Sequence, residues 1–256
     1  MSALRAVFVA AVREAWVNRR SFWVQVTAMV VNDLTWVVFW FLFFRRVGSV
    51  RGWDVEGLLT LLAIVATVIG FGIGLLANAR RIGSAISSGQ LDAVLALPVD
   101  PLGYLLVRRI DPALLGDLAF GPLLFLFAAD PTPARAATFV FGVSIGSVVF
   151  VSFLVFLGSL TFFVGGKGEQ ADLGFQALIL VAQYPVDLFA GFVKVLLFVA
   201  IPAAFVSGLP ARLVTSFDWG TAATLLVVAL GLAALARSTF VLGLRRYRSG
   251  SAWVRA

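Results

Sequence analysis

The sequence predicts an all-α integral membrane protein with six transmembrane helices, an interfacial helix before the first and a re-entrant outer hairpin before the last. Three observations lead there. The 256 residues are 61% hydrophobic and 13% charged, against roughly 25% charged in soluble domains. That is more apolar surface than a water-soluble fold of this length hides. The apolar residues also gather in runs of about the 20 residues that a ~30 Å hydrocarbon core requires. Finally, the cations sit at the ends of those runs. Residues 1–256 read as a single transmembrane domain, with no internal repeat.

The first element is an interfacial helix over residues 1–20. Arg5, Arg13 and Glu14 interrupt any signal-peptide core. Leu4, Val7, Phe8, Ala11, Val12 and Trp16 share one helical stripe, with Arg13 and Arg20 opposite, which suits a helix lying in the headgroup plane. The first span runs from Ser21 to Phe44 between two Arg pairs, and the second from Leu58 to Ala77. The third opens at Asp111-Pro112, a cap followed by Pro in the first turn, and ends near Ala129. The fourth covers Ala136 to Val164. From Leu173 to Leu209 the chain is apolar but too long for one span, and Pro185, Pro202 and Pro210 punctuate it. We read a fifth span from Leu173 to just beyond Tyr184, then a re-entrant outer segment over 189–209. The alternative is an interfacial segment first and a crossing at Phe192 to Leu209. The last span covers Trp219 to Leu242.

Arg and Lys set the orientation. With both termini cytoplasmic, the inner segments hold Arg5, Arg13, Arg19, Arg20, Arg80, Arg81, Arg108, Arg109, Lys167, Arg245, Arg246, Arg248 and Arg255. The outer ones hold Arg45, Arg46, Arg51, Arg135 and Arg212. The net charge of +7 thus reads as attraction to an anionic leaflet. No nucleic-acid surface is expected, because the Arg residues are spread over span ends.

The largest polar connection, residues 78–110, is cytoplasmic in this arrangement. It holds a capping box from Ser87 to Gln90. A short helix follows with Leu91, Val94 and Leu95 on one side, ending at Pro98. Its apolar face either packs on the membrane surface and the protein's own loops or docks onto a soluble partner.

Chemistry is largely excluded. There is no Cys and no His, hence no disulfide, no thiol nucleophile and no usual metal ligand. Gly165-Gly166-Lys167-Gly168 fails as a phosphate loop, since Gly168 stands where Ser or Thr belongs and Thr161 where Gly belongs. Gly70, Gly72 and Gly74, and likewise Gly142 and Gly146, lie inside spans and read as small-residue packing faces. No carboxylate pair has a spacing that compels acid–base work, so the chain is not expected to be catalytic.

Intramembrane charges stand out instead. Asn32 and Asp33 lie midway along the first span, where a charge costs at least ~2.5 kcal/mol. They line either a translocation route or a helix-packing contact. Asp117 reads as a near-surface packing residue and Arg237 as a cation that snorkels to the surface. Asp187 and Lys194 flank the outer end of the fifth span, either solvated or paired.

In order, these elements resemble the membrane subunit of type-2 ABC exporters, over nearly the whole chain. Two stretches are similar to the branch that includes viologen and multidrug exporters. They are Gly89-Gln90-Leu91-Asp92-Ala93-Val94-Leu95-Ala96-Leu97-Pro98-Val99-Asp100-Pro101-Leu102, and Tyr184-Pro185-Val186-Asp187 with Ile201-Pro202-Ala203-Ala204-Phe205 downstream. The resemblance implies a permease subunit in the plasma membrane that exports a small drug-like, amphiphilic or cationic molecule. It makes Leu91, Asp92, Val94, Leu95, Leu97 and Pro98 the helix that couples to a separate ATPase subunit. It places Tyr184, Pro185, Asp187 and Pro202 in the outer re-entrant region. This chain would bind no cofactor; ATP and Mg would sit on the partner ATPase. A second permease, the same chain or a related one, would complete the unit in the lipid. A stand-alone channel or scaffold without an ATPase is the competing class.

Overall fold

The computed structural model describes residues 3–128 and 130–247. Ala129, Arg248 and Arg255, named above as a span end and as inner cations, lie outside the described residues. Among the described residues the chain is helical, and the one extended pairing is an isolated bridge between Val50 and Trp53.

Helix α1 (Ala3–Val17) forms where the apolar stripe predicts it, but buries only Ala11. Asn18 then caps the next helix by accepting the N–H of Ser21 at 3.1 Å. That helix, α2 (Arg19–Val47), is long enough to span a membrane yet buries only Trp40 and Phe44. Met29, Trp36 and Val37 pack partly against the core, while Val31, Leu34, Val38, Phe39 and Leu42 stay exposed. Helix α3 (Val55–Ile69) is the opposite case. It is capped by Asp54, carries almost no polar residue, and is buried on all sides, as an evenly apolar helix demands. It continues through π-helical turns over Gly70–Gly74.

Residues 78–110 fold as a 3-10 turn over Ala77–Arg81 and three short helices: α4 (Ile82–Ser87), α5 (Gln90–Leu95) and α6 (Pro101–Val107). The expected capping box is absent. Gly89, at φ +77°, enters α5 without a side-chain cap, and the Ser87 hydroxyl donates to the carbonyls of Ser84 and Lys167.

Helix α7 (Leu115–Ala128) starts later than the Asp111-Pro112 signal predicts. Asp111 accepts the N–H of Ala113 and makes a turn, not a helix cap. At 14 residues, α7 is about 21 Å long. Helix α8 (Pro133–Ser159), capped by Thr132, runs with α9 (Thr161–Val164) as one apolar stretch. Helix α10 (Gln170–Ala182) is again short, about 20 Å for its 13 residues. Helix α11 (Gly191–Val199) follows. A π-helical stretch over Ala204–Gly208 then leads into α12 (Leu209–Thr215), at 73° to α11. Helix α13 (Trp219–Arg246), capped by Asp218, closes the fold and leaves Arg237 exposed.

Among the described residues four helical stretches are therefore long and apolar enough to cross a membrane, or five if the bent pair α11–α12 is one span. The core runs along α3, α8, α10, α12 and α13, with Phe125 of α7 joining it. Small residues allow it. A methyl group on Gly121 of α7 would collide with Thr67 and with the carbonyl of Ala63 on α3, and one on Gly70 with the Leu118 backbone. Gly142 meets Pro210, and Gly146 meets the carbonyl of Val206. Both small-residue faces pack as the sequence suggests.

Candidate functional site

Halfway along α2, Asn32 and Asp33 face a cavity of about 250 Å³ that α3, α7 and α10 close on its other sides. Trp36, Phe120 and Gln183 line it too. So does Asp117, which is only 1% exposed. Asp117 is packed inside the bundle, in the first turn of α7. α7 is short, and its tight crossing with α3 at Gly121 carries the helix start into the bundle. The Asp33 carboxyl faces that of Asp117. With both ionised, neither oxygen of Asp117 nor Oδ2 of Asp33 has a donor among the described residues. Carboxylate oxygens so placed are satisfied by a shared proton, by water or by a cation. The sequence separates these carboxylates by more than 80 residues, so no local spacing reveals the pair; the signal was the presence of Asp117 in an otherwise apolar run.

At the end of the bundle that carries residues 78–110, α5 has two faces. Leu91 and Val94 are buried in a cluster with Ile82, Ala85, Ile86, Leu105, Val155, Ala236 and Phe240. Asp92, Leu95, Leu97 and Pro98 are exposed. Of the six coupling residues named from the sequence, two anchor the loop to α8 and α13, and four present a surface. Gly165, Gly166 and Gly168, all at positive φ, make the turn whose Lys167 carbonyl receives Ser87. That run is a seat for the loop. Two cationic pairs, Arg80-Arg81 and Arg108-Arg109, border a cavity of about 520 Å³ beside it.

At the opposite end, Asp187 ties together segments remote in sequence. Its carboxylate accepts Lys194 Nζ at 2.9 Å and the Trp53 indole N–H at 3.2 Å, and pairs with Arg212 at 2.6 Å. Its carbonyl accepts Arg51 at 2.9 Å. The Arg212 guanidinium also lies over the Trp53 ring. Burial alone would lift the Asp187 pKa; the hydrogen bonds from Lys194 and Trp53 and the charges of Arg212 and Lys194 outweigh it and hold the carboxyl below its ordinary value. Asp187 and Lys194 are thus paired. Arg135 bonds Glu56 at 2.8 Å, and Arg45 lies over Phe41. Four of the five arginines expected in the outer segments therefore have partners of their own. Tyr184 packs on Trp36 and Trp40, Pro185 opens the 3-10 turn that holds Asp187, and Pro202 lies at the α11–α12 bend.

Among the described residues no group of acids could hold a metal ion. No curated protein and no solved structure matches the chain. A family model described as "ABC-2 family transporter protein" matches residues 30–251, and the chain belongs to that family: a multi-pass membrane component of an ABC transporter.

Proposed function

We propose that this chain is the permease subunit of an ABC exporter akin to the viologen and multidrug branch. It crosses the plasma membrane six times with both termini in the cytoplasm. The short helices α7 and α10 each make a crossing, and α11–α12 re-enter from outside without passing through. ATP and Mg sit on separate ATPase subunits, and a second permease, identical or related, completes the pore.

One observation carries the reading. Helix α5 is locked by Leu91 and Val94 into a cluster that includes residues of α8 and α13, while Asp92, Leu95, Leu97 and Pro98 face outward. A push on the outward face is therefore delivered to two long helices. ATP binding stabilises one arrangement of the ATPase pair over another, and this contact transmits that difference to the route. Asp33 and Asp117, beside the polar Asn32, give the route its negative lining, which favours small amphiphilic or cationic cargo over anions.

The test is co-expression with a neighbouring ATPase gene and purification of this chain in lipid. We expect the ATPase to co-purify and its activity to change on assembly. Purification of the chain alone, with the ATPase activity untouched, would favour a stand-alone channel or scaffold.

A further inference from the structure

The two Arg pairs at the loop end are brought together by the fold. The Asn78 side chain donates to the carbonyl of Leu105 at 2.9 Å, and the Ala77 N–H to that of Arg109 at 3.3 Å. These bonds bind the 3-10 turn to α6, so that Arg80, Arg81, Arg108 and Arg109 border one cavity of about 520 Å³. Only Glu169 and Asp172 oppose them there. Arg80 is already committed: it lies 3.9 Å from Asp111, 3.8 Å from Asp172 and over the Phe175 ring. Arg81, Arg108 and Arg109 have no ion pair among the described residues. Like charges converging on a cavity raise its energy unless an anion enters.

Arg109 also lines a groove beneath α1 of mixed character: Ala11, Phe22 and Ile110 give it apolar wall, Asn18, Ser21 and Gln25 polar wall, and Glu14 a carboxylate. The cationic cavity thus adjoins a groove, part polar and part apolar, under the helix that the sequence lays in the headgroup plane. A free phosphate uses the cavity alone; an anionic phospholipid uses both. Guanidinium forks match phosphate oxygens two at a time.

We propose that this cavity binds the phosphodiester head group of an anionic phospholipid, with an acyl chain along the groove beneath α1. The proposal rests on the loop end lying at a membrane surface, as in the function proposed above. It requires no ATPase.

The test uses the full-length chain, delipidated in detergent and titrated with dioleoyl phosphatidylglycerol, with dioleoyl phosphatidylcholine and with inorganic phosphate. Bound lipid is read by native mass spectrometry. We expect phosphatidylglycerol to be retained over phosphatidylcholine, with affinity falling about fivefold for each arginine removed in Arg81→Gln, Arg108→Gln and the triple variant that adds Arg109→Gln. Arg237→Gln, on α13, should bind as wild type does. The single variants keep the test valid if the triple does not fold. Equal retention of the two lipids overturns the proposal, as does unchanged retention in the single variants. Competition by inorganic phosphate at similar concentration overturns the lipid assignment in favour of a free anion. Failure here, beside an ATPase that co-purifies, refutes this proposal alone.

Discussion

The Arg212 guanidinium rests on the Asp187 carboxylate at 2.6 Å, and this contact joins α12 to the turn that follows α10. Lys194 of α11 and Trp53 of the loop after α2 use the same carboxylate. Four segments thus meet on one side chain that is 17% exposed.

Asp187→Asn should lower stability by about 1–3 kcal/mol, because it leaves two cations without their charge. Thermal unfolding in detergent measures it. The pH dependence follows from the lowered pKa. The Asp187 contribution is complete above the ordinary carboxylate value and is lost as pH falls through the lower native value. Wild type and variant should therefore differ most near neutrality and converge in acid.

Asp33→Asn and Asp117→Asn test the cavity. Each removes one of two facing carboxylates and supplies an amide donor to the other. Folding should be unharmed or improved. Efflux of a lipophilic cation such as tetraphenylphosphonium should fall about tenfold or more, the loss of one charge-assisted contact of about 1.5–3 kcal/mol. Efflux assays in cells lacking the native gene, with the variant's membrane level as control, decide it.

The two faces of α5 predict opposite outcomes for the same chemistry. Leu91→Glu or Val94→Glu buries a charge in the loop's own cluster and should destabilise the chain by about 3 kcal/mol or more. Leu95→Glu or Leu97→Glu, at exposed positions, should leave thermal stability unchanged while cutting cargo-stimulated ATPase activity of the assembled complex. Melting curves and ATPase rates, measured on the same preparations, separate anchoring from docking.

Gly121→Ala should cost about 1–3 kcal/mol, since its methyl group meets Thr67 and the Ala63 backbone. Gly231→Ala, where nothing lies within 4 Å, should instead raise helix stability by about 0.5–1 kcal/mol. Thermal unfolding of both variants checks the pair of signs.

Much of this was legible from one-dimensional pattern. α2, α3, α8 and α13 announce themselves by apolar length between charged ends, and Gly70 and Gly146 by their place inside such runs. α7 and α10 were less legible, because a run of apolar residues does not say where the helix within it begins. Asp111-Pro112 looks like a cap but makes a turn. Ser87 looks like a cap but reaches Lys167, 80 residues away. The Asp33–Asp117 pair and the Asp187 hub are tertiary: each joins segments remote in sequence, and neither leaves a local spacing. For α5, periodicity correctly joined Leu91 to Val94 but could not tell whether that face meets the protein or a partner.

The chain has no cysteine, so single-cysteine labelling has no background, and it tests the central claim most directly. That claim places the exposed face of α5 inside the cell and the Asp187 cluster outside. A membrane-impermeant maleimide should label Val193→Cys in intact cells, and Ala96→Cys only after permeabilisation. Labelling of Ala96→Cys in intact cells, with Val193→Cys protected, would contradict the account.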